Sequence, residues 1–257
     1  MDLHCSALTH VGRRRNNEDA HALRPDLGLV VVADGMGGYE GGEVASHLVV
    51  ESLVELFART QADSEATWPH VARPTRDPLL DRVWVGLRHA HARVLAQRQG
   101  VLARMGSTAV VVAWEGDRLA VGHVGDSRVY RLRDDRLELL TRDHSFAEEA
   151  RAAGLPDDAA AVASYRHVLT RAVGMPGPLE ADLCLHELRA GDVLLLCSDG
   201  VWEPLRDEDL RAALQCSPPD AAQTLVAWAY EAGGTDNMTA LVLRVPGDEA
   251  VLAQEGA

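Results

Sequence analysis

The feature that most constrains this chain is a repeated junction, in which a short apolar run meets an acidic residue beside a glycine. Runs at Leu29–Ala33, Thr108–Trp114, Leu119–Val124, Val129–Leu132, Val193–Cys197 and Thr239–Val245 are too short for helices and rich in β-branched residues. They predict strands. Glu115-Gly116-Asp117 joins two such runs, and Arg133-Asp134-Asp135 leads into Arg136–Leu140; both triplets predict hairpins. Glu43–Arg59 has helical spacing, with Val44, Leu48, Ser52, Glu55 and Leu56 along one side and Val49, Leu53 and Phe57 close by. Leu79–Gln99 places Leu80, Val83, Leu87, Ala90 and Val94 on one stripe, and Pro219–Ala232 predicts a third helix with Leu225, Trp228 and Ala229 on its apolar side. Interleaved strands and helices with hairpin joints predict one mixed domain, an α+β arrangement of antiparallel sheets covered by helices. Gln61–Asp77, polar and containing Pro69 and Pro74, reads as a linker between two helices within that domain. The residues after Pro246 read as a short polar tail.

Composition bounds what such a domain can do. The 257 residues are 47% apolar but only 4% aromatic, so Val, Leu and Ala must fill the core. A formal net charge of −14 argues against nucleic acid or an anionic membrane as the main partner and suits a site that binds cations. Cys5, Cys184, Cys197 and Cys216 form no C-x-x-C pair, which points to a reduced compartment and away from a zinc ribbon. There is no apolar leader, and the longest apolar runs are far too short to cross a bilayer. The expectation is a cytoplasmic protein without membrane insertion.

Five acidic clusters stand next to these strands: Asn17-Glu18-Asp19, Asp34-Gly35-Met36-Gly37-Gly38, Gly125-Asp126-Ser127, Ser198-Asp199-Gly200 and Thr235-Asp236-Asn237. A single Asp-Gly is most simply a turn. Five at apolar strand ends form a different pattern, because carboxylates gathered on a rigid frame repel one another unless a cation neutralises them. Oxygen-only donors select Mg²⁺ or Mn²⁺ over zinc. Asp19, Asp34, Asp199 and Asp236 are the first candidates for such a centre.

The order of the motifs resembles that of the metal-dependent type 2C (PPM) serine/threonine protein phosphatases, in their compact bacterial form. The resemblance runs from about Ser6 to Val245. It is carried by Gly12, Arg14 and Asn17-Glu18-Asp19, then Val32-Ala33-Asp34-Gly35-Met36-Gly37-Gly38 and Met105-Gly106-Ser107-Thr108. Gly122-His123-Val124-Gly125-Asp126-Ser127-Arg128-Val129-Tyr130, Thr141-Arg142-Asp143-His144-Ser145 and His167-Val168-Leu169-Thr170-Arg171-Ala172-Val173-Gly174 follow. Ser198-Asp199-Gly200-Val201-Trp202-Glu203 and Asp236-Asn237-Met238-Thr239 complete the set. The resemblance implies a four-layer α-β-β-α sandwich, two stacked antiparallel sheets flanked by helices. It implies a catalytic domain over residues 1–246, a variable flap at about 145–166 and a tail at 247–257. It also implies hydrolysis of phosphoserine and phosphothreonine by a water activated between two Mn²⁺ or Mg²⁺ ions, with no phosphoenzyme. Asp34 would bridge the ions, with the Gly35 carbonyl as a further ligand. Asp199 and Asp236 would complete one ion, and Asp19 and Glu18 would serve the other directly or through water. Asp126 with Asp199 would form a weaker third site, and Arg14 would bind the substrate phosphate. The implied partners are phosphorylated proteins, among them a serine/threonine kinase and its targets, met by a monomeric enzyme.

Three departures from the family pattern stand out. The Gly12-to-Glu18 spacing is one residue short, so Arg14 is matched by its distance from Asn17, within the run Arg13-Arg14-Arg15. Met36 stands where animal members carry a histidine, and Tyr39 where many bacterial relatives carry one. Other phosphatase chemistries fail on residues. None of the four cysteines begins a C-x₅-R, Asp207-Glu208-Asp209 continues into Leu210-Arg211 rather than the D-x-D-x-T pattern, and no H-E-x-x-H occurs. His89 and His91, two apart on a helix, are expected at the surface, and His144 and His167 in structural hydrogen bonds. The alternative function is a non-catalytic relative that only binds phosphoproteins; such a chain would be expected to lack a metal-binding Asp.

Overall fold

The apolar runs form strands, and the turn triplets join them as hairpins. The computed structural model describes residues 3–37, 41–62, 75, 77–155, 165 and 167–247. The strands are β1 (His4–His10), β2 (Asp19–Arg24), β3 (Leu29–Met36), β4 (Gly106–Ser107), β5 (Ala109–Glu115), β6 (Arg118–Val124), β7 (Arg128–Arg133), β8 (Arg136–Leu139), β9 (Asp182–Glu187), β10 (Val193–Cys197) and β11 (Met238–Arg244). The helices are α1 (Gly41–Ala62), α2 (Pro78–Gln97), α3 (Phe146–Ala152), α4 (Asp199–Trp202), α5 (Asp207–Leu214) and α6 (Pro218–Glu231). One sheet has the order β1-β11-β10-β7-β8; the other runs β2-β3-β5-β6-β9, with β4 added to β3. The pairings are antiparallel. In the β7–β8 hairpin Asp134 and Asp135 both take positive φ, 50° and 60°, the conformation that a two-residue turn matched to strand twist demands.

Side-chain alternation along the strands builds the layers. Val30, Val32, Val110 and Val112 of one sheet meet Leu194, Leu196, Leu241 and Leu243 of the other in a shared core. The intervening Leu29, Val31 and Ala33 point the opposite way, into a cluster with Val49, Leu53 and Phe57 of α1 and Val83 and Leu87 of α2. On the far side Leu195, Ala240 and Val242 pack under Leu210 and Leu214 of α5 and Leu225 of α6. Both faces of both sheets are therefore covered, which is why the central strands read as unbroken apolar runs. The result is the expected four-layer α-β-β-α sandwich.

Several local expectations need correction. On α1 the expected Leu48, Val49, Ser52, Leu53, Leu56 and Phe57 are buried, joined by Ala45, but Glu55 is exposed and Val44 only partly covered. Trp228 is exposed; α6 buries Ala221, Ala222, Leu225, Val226 and Ala229 instead. His91 is buried, not superficial: its Nδ1 accepts from the Gly174 N–H at 3.0 Å, and its Nε2 lies 3.1 Å from the Gly177 carbonyl. Most of the expected linker lies outside the described residues, as do residues 156–164 and 166 of the expected flap, Gly38, Tyr39 and the tail from 248 onward.

Phe57 is fully buried between α1 and α2, with the Arg82 guanidinium 4.1 Å from its ring centroid. Phe57→Ala should lower unfolding free energy by about 3–5 kcal/mol in a denaturant titration, the range for emptying a buried aromatic site.

Candidate metal centre

The sandwich brings the acidic clusters to one end. Antiparallel pairing sets Asp19 opposite Asp34 across β2 and β3. Asp126 lies in the turn that takes the chain from β6 in one sheet to β7 in the other. Asp199 opens α4 directly after β10, and Asp236 stands just before β11. Arg14, Glu18, Asp34, Gly35, Asp126, Asp199 and Asp236 all line one cleft of about 1160 Å³. Asp19 is buried and does not reach the cleft surface.

Close backbone approach explains the glycines here. A Cβ on Gly35 would come within 2.0 Å of the Gly42 carbonyl oxygen, so the first turn of α1 rests directly on the Asp34-Gly35 segment. Gly125 takes φ +103° in the turn before Asp126, beside Thr108.

A hydrogen-bonded frame orients the carboxylates. The Asp34 N–H donates to Thr108 Oγ1 at 2.9 Å, and that oxygen lies 2.8 Å from Ser127 Oγ. Ser198 and Thr239 hydroxyls both donate to Asp19 Oδ2, at 2.8 and 2.6 Å. Asn237 accepts from the Glu18 N–H at 2.8 Å and donates to the carbonyls of Val11 and Asn16. Trp202 Nε1 donates to the Asp126 carbonyl at 3.0 Å, and the Arg128 guanidinium stacks 3.3 Å from the Trp202 ring centroid. Arg128 is itself held by both Asp143 oxygens, at 2.9 and 2.7 Å. The motif comparison includes most of these positions but gives them no role; their hydrogen-bonding residue types were the only available signal.

The electrostatics are those of buried, mutually repelling carboxyls. Burial first, then the neighbouring carboxylates, holds the Asp34 carboxyl well above the usual range. Burial with repulsion from Asp199 pushes Asp126 up to about 8, and burial with repulsion from Asp236 pushes Asp199 up to about 6. Asp19 rises to about 7 through burial, against the two hydroxyl hydrogen bonds that favour its charged form. Asp19 Oδ1 and Asp199 Oδ1 are buried with no hydrogen-bond partner. Orphaned carboxylate oxygens, no sulfur or imidazole donor in the set and strong mutual repulsion together fit hard divalent cations. At the mouth, Arg14 donates to Asp236 at 2.6 Å with its side chain still 57% exposed.

A second group with metal-ligand chemistry, His123, His144 and Asp182, lies behind the Asp126 turn. Its ring nitrogens are already engaged. His144 Nδ1 accepts from the Gly125 N–H at 3.2 Å, His123 Nε2 sits 2.7 Å from the Arg142 carbonyl, and Arg171 reaches Asp182 at 3.1 Å. The His144 main chain also donates to the Gly125 carbonyl at 2.8 Å, so this group braces the turn, in line with the structural role expected for His144. His167 is exposed on the cleft wall with Nδ1 3.7 Å from Glu203.

The raised carboxyl values carry a stability consequence. A carboxyl whose pKa is higher folded than unfolded favours the folded state at low pH and loses that contribution as pH rises through the folded value. In chelator, the melting temperature should therefore fall between about pH 7 and 8.5, above the range in which the buried histidines titrate. Saturating Mn²⁺ should abolish the fall, as thermal melts at matched ionic strength would show.

A family model described as protein phosphatase 2C matches residues 8–240. The serine/threonine protein phosphatase PstP of Mycobacterium tuberculosis is 36% identical over 236 residues, covering 90% of this chain and 43% of that one. This chain thus spans under half the length of that relative. Protein phosphatase PhpP of Streptococcus pneumoniae is 30% identical over 252 residues, covering 95% of this chain and 98% of its own. The crystal structure of the PstP catalytic domain in complex with two manganese ions superposes with TM-score 0.79 at 34% identity, covering 95% and 98% of the two chains. With nearly its whole length inside the match, the chain belongs to the protein phosphatase 2C family of metal-dependent serine/threonine phosphatases.

Proposed function

We propose that the chain is a protein serine/threonine phosphatase that uses Mn²⁺ or Mg²⁺. The observation that carries this reading is the convergence of carboxylates from both sheets on one open cleft, with a buried oxygen lacking a hydrogen-bond partner on Asp199 in its lining and another on Asp19 beneath it. Asp34 would serve both ions, with the Gly35 carbonyl as a further ligand; Asp199 and Asp236 would complete one ion, and Glu18 and Asp19 would serve the other directly or through water. Asp126 and Asp199 would provide a weaker third position. Bound divalent ions would supply Lewis-acid activation of a water molecule and offset the charge that builds on the phosphoryl oxygens.

The chain's own residues do the rest. Arg14 offers a guanidinium fork at the cleft mouth, suited to two oxygens of a phosphate. Its present partner Asp236 would turn to an ion, releasing the fork for substrate. Ser198 and Thr239 keep Asp19 Oδ2 occupied, so Oδ1 is the oxygen left to serve the centre. Met36 has no proton to give the leaving oxygen.

The catalytic unit would span residues 1–246, acting as a cytoplasmic monomer on phosphoproteins and opposing a serine/threonine kinase. Relatives named as serine/threonine phosphatases in several bacteria support that assignment. The described residues include no helix long and apolar enough to cross a membrane. Retention of every expected acidic ligand weighs against a purely phosphoprotein-binding relative.

Turnover of p-nitrophenyl phosphate and a phosphothreonine peptide should require Mn²⁺ or Mg²⁺ and vanish in chelator; metal-independent turnover, or none at all, would overturn the proposal. Asp34→Asn and Asp199→Asn should each reduce turnover by about a hundredfold or more. Asp34→Asn should also raise the melting temperature of the chelated protein, because it removes a repelling carboxyl from the cluster. Thr239→Val should weaken metal binding by about 10–100-fold, as calorimetry would measure.

A further inference from the structure

An anionic substrate must approach an anionic protein. The chain has 39 acidic residues against 25 basic ones, and all the basic ones are arginine. Acidic side chains line the cleft floor, and Glu203 stands on its wall beside His167. The loop between β1 and β2 is the exception. Arg14 and Arg15 line the cleft, Arg13 precedes them to complete a basic lip, and all three residues are exposed.

This lip is held in place from several sides. The Gly12 N–H donates to His10 Nδ1 at 3.0 Å, and the Arg13 N–H donates to the Gly234 carbonyl at 2.9 Å. Asn237 Nδ2 ties down Val11 and Asn16 at 2.9 and 3.0 Å. His10 packs edge-on against Tyr230 at 5.3 Å, and the Arg13 guanidinium sits 5.8 Å from the centroid of the same ring. Arg14 is engaged by Asp236, whereas Arg13 and Arg15 make no ion pair among the described residues. Two cations without carboxylate partners thus flank the phosphate-binding candidate, and Arg15 lines the cleft itself.

We propose that Arg13 and Arg15 select phosphopeptides that carry an acidic residue close to the phosphorylated one. The inference rests on the phosphatase reading and names the substrate class of the same site. Guanidinium forks match carboxylates as well as phosphates, and the backbone anchoring of the loop lowers the ordering needed to present them. The acidic side chain lies beside the arginines, because the Glu203 carboxylate elsewhere in the cleft lining repels it.

The test uses the full chain loaded with Mn²⁺ and two phosphothreonine peptides that differ only in Glu or Gln at the flanking positions. The readouts are the kcat/KM ratio for the pair and, separately, peptide binding by fluorescence anisotropy. The Glu peptide should be favoured by about 3–10-fold at low salt, the preference should shrink as salt is raised, and Arg13→Gln with Arg15→Gln should bring the ratio to within about twofold. The proposal is overturned if both peptides are hydrolysed equally, or if the double variant keeps the preference; either result leaves the phosphatase reading standing. If neither peptide is hydrolysed, yet the Glu peptide binds more tightly and the double variant loses that difference, the lip stands and the hydrolytic reading fails.

Discussion

Like charges held together away from water are the constraint on which this structure depends. Asp19 and Asp34 face each other across two strands, and Asp126, Asp199 and Asp236 crowd the same end of the sandwich. Burial is what first raises the pKa of Asp19, Asp34, Asp126 and Asp199, and without a counter-ion the repulsion among the carboxylates adds to it. Such a cluster destabilises the fold that carries it. It persists because the two-sheet core beneath, filled by interlocking Val and Leu side chains, is stable enough to hold the strand ends in place.

Rigidity at the site comes from a surrounding shell of neutral groups. Hydroxyls of Thr108, Ser127, Ser198 and Thr239 and the amide of Asn237 orient the acidic segments without adding charge. A charged brace lies one step further out, where Asp143 holds Arg128, Arg128 covers Trp202 and Trp202 holds the Asp126 carbonyl. His144 grips the same turn through Gly125. The turn that crosses between the sheets is therefore clamped from both sides.

The central strands were legible because both their faces are buried, so β3, β5, β10 and β11 each contain an unbroken run of Val, Leu and Ala. Of the strands that escaped a sequence reading, β4 has only two residues, and β1, β2 and β9 are sheet edges. Edge strands bury less of their surface, so HCSALTH and DLCLHE carry no continuous apolar run. The short helices α3, α4 and α5 span too few turns for a periodicity to show. Helix faces were misjudged where a large side chain was assumed to be inside: Trp228 stays at the surface because Ala221, Ala222 and Ala229 let α6 lie close to its sheet. His91 shows the reverse error, a polar residue buried because two backbone groups satisfy it.

By itself the sequence determined the residue types at the site, the order of the motifs and hence the family, since the acidic clusters and their glycines are local and legible one by one. It also determined the strand cores, because burial on both faces writes itself into composition. Only the tertiary structure decided that Asp19 lies beneath the cleft while Asp34, Asp126, Asp199 and Asp236 open into it. It alone decided which carboxylate oxygens lack partners, that Arg14 meets Asp236, and that Arg13 and Arg15 make no ion pair among the described residues. Those facts depend on register across two sheets and on contacts between residues more than two hundred positions apart, such as Arg14 with Asp236. No local pattern encodes a distance of that kind.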